Sequence, residues 1–357
     1  MTKKVCVIKG DDTSPEFVLP TVEVIKGMGL DIDFIFPLSG EEAIQKIGNG
    51  FPPEAREAID TADCTLFGSE SGPSRGALAY LRWGKKTYAN LRPIKWQKGI
   101  KSPLKNPEGI DFVIVRENLE GLYPGREGDI AQLKSLQLTD WMTGDAVDTS
   151  KKGKFAVRII TEENTQNIAE AACQLALKRK EKGGKGKVTV ACKHNVLIQS
   201  DGLFRQIVKE TVGTHSELTY HDVIIDNFAQ QIIINPKQFD VVVMPNEYGD
   251  VMADGAAGIV GGLGLAPSAC IGKDYAYFEP VHGTAPDLMG KNIINPTAML
   301  LTSKWMLQYL GFEEEAERLE RAVYMVYAEG EHLTRDQGGN ASTTQFCEAV
   351  MSKLSAS

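Results

Sequence analysis

The sequence predicts an α/β protein with a mostly parallel sheet and helices on its faces. Three observations carry that prediction. Short apolar runs alternate with helical stretches along most of the chain, the pattern of repeated strand–helix units. The chain has 357 residues, of which 42% are hydrophobic, enough for two domains or one large one. The first apolar strand is followed by Lys9-Gly-Asp-Asp-Thr-Ser14 and not by GxGxxG, so the sheet is not expected to be a Rossmann dinucleotide fold.

Val5–Ile8 reads as a short buried strand, and Ser14-Pro15-Glu16 as a helix start, with a capping hydroxyl, proline in the first turn and an early acid. Asp31–Phe36 alternates as a strand, Pro53–Ala62 reads as a helix, and Asp63–Phe67 as the next strand. Further strands are expected at Asp111–Arg116, Phe155–Thr161, Lys187–Cys192, Glu217–Ile225 and Asp240–Met244. A small-residue helix is expected at Ala253–Val260, and three more at Ala298–Leu310, Glu313–Glu329 and Thr343–Leu354. The basic run Lys178–Lys187 reads as the positive last turn of a helix with a glycine cap and loop.

The formal net charge of −8 argues against nucleic acid or an anionic membrane as partner. No apolar run approaches the length of a membrane span, and Met1–Ile8 is too short for a signal sequence. The six cysteines are scattered without a CxxC pair. Buried free thiols in a reducing cytoplasm are the expectation.

Asp250 and Asp254 lie four residues apart, directly after the apolar run Asp240–Met244. On a helix they share one face, where two like charges are stable with a cation between them. Oxygen-only ligands suit Mg2+ or Mn2+; a solvated acidic face is the competing reading. Three arginines stand among apolar or aromatic neighbours: Arg82 in Tyr80-Leu-Arg, Arg92 in Tyr88-Ala-Asn-Leu-Arg-Pro93, and Arg116 after Phe112-Val-Ile-Val. Converging guanidinium groups hold a polycarboxylate through paired hydrogen bonds, and a buried ion pair is the alternative for each. Tyr123 is a candidate proton donor. Lys193 ends the run Val188–Cys192, and Asp226 closes Val223-Ile-Ile225 as a possible third carboxylate for the metal.

On Tyr88-Ala-Asn-Leu-Arg-Pro93, Arg116-Glu-Asn-Leu-Glu-Gly-Leu-Tyr123, Tyr248-Gly-Asp-Val-Met-Ala-Asp254 and Glu279-Pro-Val-His-Gly-Thr-Ala-Pro-Asp287, the chain resembles the isocitrate/isopropylmalate dehydrogenases along its whole length. These are metal-dependent β-decarboxylating enzymes. The resemblance implies that Arg82, Arg92 and Arg116 hold substrate carboxylates, that Tyr123 is the general acid and that Lys193 assists hydroxyl deprotonation. It implies metal binding by Asp226, Asp250 and Asp254, with Lys193 and Asp226 entering from the second subunit of a homodimer. It places the cofactor on His282, Gly283, Thr284, Ala285, Asp287 and Asn295. It also implies an isopropylmalate dehydrogenase-like two-domain architecture. Residues 1–88 and 261–357 form the large α/β domain, and 89–260 the small one, with a dimer clasp near 122–158.

Three departures from that family's pattern stand out. Asp12 and Ser14 replace glycines in Gly10-Asp-Asp-Thr-Ser-Pro-Glu16, and Trp83-Gly-Lys-Lys-Thr87 replaces an acidic, leucine-containing stretch. In Ser71–Ala79, Gly76 and Leu78 replace the serine and asparagine of many isocitrate enzymes, and Arg75 stands where isopropylmalate enzymes have glutamate. An arginine facing an apolar substituent would leave desolvated donors unmet. The expected reaction is therefore NAD-dependent oxidative decarboxylation of isocitrate or homoisocitrate, with 3-isopropylmalate as the alternative. Asp287 favours NAD over NADP, because a carboxylate pairs with ribose hydroxyls and repels a 2′-phosphate. A catalytically silent regulatory subunit is the rival of another class. The presence of Tyr123, Lys193 and all three aspartates weighs against it.

Overall fold

The structure, a computed structural model, describes residues 2–356. The first half begins with β1 (Lys3–Ile8), α1 (Ser14–Gly27), β2 (Ile32–Ile35), α2 (Gly40–Ile47), α3 (Pro53–Thr61) and β3 (Cys64–Phe67). A short α4 (Arg75–Ala79) runs into one π-helical turn, Tyr80–Gly84, before β4 (Ala89–Lys95) and β5 (Asp111–Glu117). Two short strands, β6 (Glu127–Asp129) and β7 (Lys154–Ala156), pair only with each other and form a separate arm. The chain returns through α5 (Glu162–Glu181), β8 (Lys187–Cys192), α6 (Ser200–Gly213), β9 (Thr219–Ile224), α7 (Ile225–Ile234), β10 (Val241–Met244) and α8 (Asn246–Ile259). It ends with β11 (Pro267–Ile271), β12 (Ala276–Pro280), α9 (Thr297–Leu310), α10 (Glu313–Glu329) and α11 (Thr343–Ala356).

Ten strands make one sheet in the order β2-β1-β3-β12-β11-β4-β5-β10-β8-β9. The outer pairings are parallel. The central ones, β12 with β11, β11 with β4, and β4 with β5, are antiparallel. The two parallel halves therefore run in opposite directions, unlike a Rossmann sheet. Strands β4, β11 and β12 were not among those the apolar runs predict. Their segments carry proline or charge beside short apolar stretches, which weakens a strand signal.

Alternation along the central strands separates two environments. Leu91 of β4 and Val113 and Val115 of β5 join the core formed with α5, α9 and α10. Ile94, Phe112 and Ile114 face the other way and pack with α7 and α8. Arg92 and Arg116 stand on this second face, beside α8.

Three expected elements change. Phe155–Thr161 is a strand only as far as Ala156. Arg158 turns inward to Asp201 and Glu247, and Thr161 caps α5 by accepting from the Asn164 amide. The helix expected from Ala253 starts earlier, at Asn246, and carries both Asp250 and Asp254. Asp226 does not end a strand but occupies the first turn of α7. All six cysteines are buried and unpaired. Among the described residues, no helix is long and apolar enough to cross a membrane.

Candidate active site

Strand β10 feeds α8 directly, so the helix starts beside the end of β5. A Cβ on Gly249 would lie 2.7 Å from the Cβ of Arg116; a glycine here lets the helix approach the arginine closely. One turn of α8 then presents Asp250 and Asp254 toward the same guanidinium groups. Arg92 places Nη2 2.9 Å from Asp250 Oδ1 and Nη1 3.2 Å from Asp254 Oδ1. Arg116 donates to Asp250 as well, and the Tyr123 hydroxyl donates to the other Asp250 oxygen. The Arg116 guanidinium carbon lies 4.4 Å from the centre of the Tyr123 ring, within cation–π range.

Asn246 orients Arg116, and the sequence did not single it out. Its Oδ1 accepts from Arg116 Nε at 3.0 Å and from Nη2 at 2.7 Å. Its amide nitrogen donates to the Glu120 carbonyl at 2.9 Å. Glu117 completes this shell, accepting from the Leu119 and Glu120 amides. A polar residue just inside a helix that follows a buried strand was the available signal.

The charges respond to this packing. Burial works against the Asp250 carboxylate, but Arg116 and Arg92 outweigh it and hold its pKa below the ordinary value. Asp254 goes the other way: burial raises it, and Arg92 offsets this only in part. Burial followed by the Asp250 hydrogen bond pushes Tyr123 up to about 12, so the phenol keeps its proton at neutral pH. Burial, then Arg92, lowers Arg116 to about 10. Burial raises Glu117 to about 7.

Other expected residues lie in different settings. Arg82, in the π-helical turn, has Nη2 4.0 Å from Glu279 Oε1, and both side chains are largely buried. Lys193 pairs with Asp226. That pair does not join Asp250 and Asp254: among the described residues no three His, Cys, Asp or Glu side chains gather in a metal-binding group. Arg75 departs from expectation. Its side chain is 72% exposed, with Nε 3.7 Å from Glu70, so solvent meets its donors and an apolar substrate would not strand them.

The segment from His282 to Asn295 is tied down mainly by the first turns of the chain. The His282 carbonyl accepts from the Ser69 hydroxyl at 2.7 Å, and the Ala285 amide donates to Thr13 at 3.3 Å. Burial lowers the His282 pKa, favouring the neutral ring. Glu16 accepts from the Gly290 and Asn292 amides. Asn295 is buried and donates to Asp336 at 2.9 Å and Tyr327 at 3.1 Å. Asp287 is exposed. Of the two residues that replace glycine, Asp12 sits at φ +47°, a left-handed conformation that a short acidic side chain tolerates. Ser14 donates to the Ser69 carbonyl at 3.0 Å and accepts from its amide at 2.8 Å. It fastens the turn after β1 to the turn after β3.

Taken together, α8, β4, β5 and the loop after β5 bring two carboxylates, two arginines and a protonated phenol into one partly enclosed cluster. This set can bind an anionic oxygen ligand and deliver a proton beside it. Comparisons with known proteins point the same way. The chain is 41% identical over 351 residues to the 3-isopropylmalate/3-methylmalate dehydrogenase of Methanocaldococcus jannaschii, covering 98% of each. It is 39% identical over 360 residues to the isocitrate/homoisocitrate dehydrogenase of Thermus thermophilus, covering 99% of each. The crystal structure of isocitrate dehydrogenase from Methylococcus capsulatus superposes with a TM-score of 0.86 at 31% identity, over 99% of both chains. The sequence model of the family described as isocitrate/isopropylmalate dehydrogenase matches residues 4–350, and the chain belongs to that family of decarboxylating dehydrogenases.

Proposed function

We propose that the protein is an NAD-dependent enzyme that oxidises and decarboxylates a 3-alkylmalate such as 3-isopropylmalate. The observation that carries the substrate is Arg75. The preference for isocitrate or homoisocitrate rested on that guanidinium being desolvated against the group on carbon 3. It is exposed and beside Glu70 instead. Half-buried Leu78 lies one turn further along α4 and suits an alkyl group, and the M. jannaschii relative is named for such substrates. A tricarboxylate is the second reading, supported by the name of the T. thermophilus relative. Steady-state kinetics on 3-isopropylmalate, isocitrate and homoisocitrate test it. The proposal expects the highest kcat/KM with 3-isopropylmalate and fails if either tricarboxylate exceeds it.

In this reading Arg82, Arg92 and Arg116 bind the two carboxylates of the malate core. Residues 1–88 with 261–357 form one domain and 89–260 the other, so Arg82 comes from the first and Arg92 and Arg116 from the second. Asp250 and Asp254 fit a divalent cation: both offer only oxygen, and Asp254 is a half-exposed carboxylate paired with one edge of Arg92. Asp226 of a second copy would complete the set. Such an ion supplies Lewis-acid chemistry, acidifying the 2-hydroxyl and offsetting the negative charge that develops as CO2 leaves. Lys193 of that second copy would take the proton of the 2-hydroxyl, and NAD, when bound, would supply the acceptor for the hydride of carbon 2. After CO2 departs, Tyr123 delivers a proton to carbon 3.

Two apolar surfaces support a second copy. Ile233 and Ile234 on α7 and Val251 on α8 are 59%, 65% and 69% exposed. The arm around β6 and β7 exposes Trp141 and Met142. Large apolar side chains grouped on a surface mark an interaction site. The cofactor is assigned to the His282–Asp287 loop with Asn295. Asp287, exposed at the loop's 3-10 turn, is the residue that would meet a ribose.

A further inference from the structure

The reverse face of the central strands carries an open cavity of about 1080 Å3, between α5 and the pair α9 and α10. Alternation on β4 and β5 separates it from the candidate active site. Leu91, Pro93, Lys95 and Val113 line the cavity, whereas Arg92 and Arg116 point to α8. A volume of this size is slightly above the roughly 300–1,000 Å3 of small-molecule sites, ample for a small organic ligand.

Its charges balance in number but pair unevenly. Arg179 is paired with Asp111 at 2.9 Å and Asp240 at 2.7 Å, and Lys182 with Glu317 at 3.0 Å. Elsewhere on the lining, two ammonium groups share one carboxylate. Lys95 Nζ lies 3.1 Å from one Glu320 oxygen, while Lys304 Nζ stands 3.7 Å from the other, beyond hydrogen-bond distance. The Lys304 side chain is only 12% exposed, and burial lowers its pKa. The Lys304 ammonium has no hydrogen-bonding carboxylate, and an anion in the cavity would supply one. The walls are apolar and aromatic, with Trp305 4.9 Å from the Lys304 ammonium and Tyr324 5.4 Å from that of Lys95.

We propose that this rear cavity binds a small organic monoanion, a carboxylate on an apolar body. The carboxylate would sit between Lys95 and Lys304, and the body against Trp305, Tyr324 and Leu91. The site is separate from the substrate pocket and does not depend on which acid the enzyme oxidises.

Calorimetric titration of the full-length protein with 1-naphthylacetate tests it, beside the uncharged 1-naphthylacetamide of nearly the same shape. The acetate is expected to bind at least about tenfold more tightly than the amide, the order of one charge-assisted hydrogen bond. Lys304→Met keeps the length and apolar stem and removes the charge. It is expected to weaken the acetate by the same factor, leave the amide unchanged and leave kcat and KM of the dehydrogenase unchanged. Equal affinity for the two ligands would overturn the proposal without any variant. So would acetate binding that Lys304→Met does not alter, which would place the anion on the active-site arginines.

Discussion

Two carboxylate–cation groups in this chain have similar composition and opposite settings. Around Asp250, the side chains of Arg116 and Arg92 are 2% and 7% exposed, and the carboxylate itself 28%. Around Lys193, the partner Asp226 is 65% exposed. The first group is held from several sides: Asn246 grips Arg116, Arg92 rises from mid-strand and Tyr123 leans in from the loop after β5. For Lys193 and Asp226, positioning stops at the backbone. The Lys193 amide donates to buried Asp201 at 2.6 Å, and the side chains reach only each other. A buried ion pair is retained where geometry matters, whereas an exposed one contributes little to stability. The first group has the preorganisation of a site; the exposure of the second fits the proposal that it serves a second copy of the chain.

The largest effect should follow from breaking the first group. If Asp250 and Asp254 hold a divalent cation, excess EDTA abolishes turnover and Mg2+ or Mn2+ restores it. Asp254→Asn should lower kcat by more than about a hundredfold, a scale reached when a catalytic Lewis acid is displaced. Thermal unfolding should change little, since Asp254 is half exposed. Full activity in excess chelator would remove the metal from the scheme.

The second group is tested by complementation. Tyr123→Phe and Lys193→Met proteins should each be nearly inactive alone. After subunit exchange, heterodimers should regain activity, because one of their two sites then has both residues intact. Verified heterodimers without activity would mean that Lys193 serves its own chain and not a second copy.

How far the sequence exposes these two regions follows from their physics. The outer strands and the long helices are legible because one face of each is uniformly apolar, as in Val5–Ile8 and Val241–Met244. Central strands β11 and β12 were missed because Pro267, Ser268, Glu279 and Pro280 interrupt the apolar pattern. At the site, Asp250 with Asp254 and the arginines Arg92 and Arg116 are legible from spacing and strand context, and the structure brings them together. Asn246 is not, because its role depends on a contact across 130 residues of sequence with Arg116. Arg75 shows the reverse: its position in the sequence suggested a substrate contact, whereas its side chain is exposed beside Glu70, because position on a short helix does not tell which way a side chain turns.

A smaller effect is expected for the cofactor. The Asp287 carboxylate would accept hydrogen bonds from a ribose diol and repel a 2′-phosphate. NAD should therefore exceed NADP in kcat/KM by about tenfold or more, roughly 1.4 kcal/mol. Asp287→Asn should narrow that gap by weakening the repulsion. Arg335, exposed in the loop before α11, and Lys291, whose ammonium donates to the Asp287 carbonyl at 2.6 Å, are the cations that could reverse it, and a preference for NADP would point to them.

The smallest effect is expected at Arg75. Its ion pair with Glu70 is long and exposed, and such pairs contribute ~0–1 kcal/mol. Arg75→Gln should leave the unfolding midpoint within about 2 °C and change kcat/KM for 3-isopropylmalate by less than about threefold. The informative arm uses isocitrate. Were Arg75 to swing inward and pair with a third carboxylate, the same substitution would cost isocitrate tenfold or more while sparing 3-isopropylmalate. That split would restore the tricarboxylate reading, because it reports a contact made only by the extra charge. Equal, small losses on both acids would leave Leu78 and its apolar neighbours to select the substituent on carbon 3.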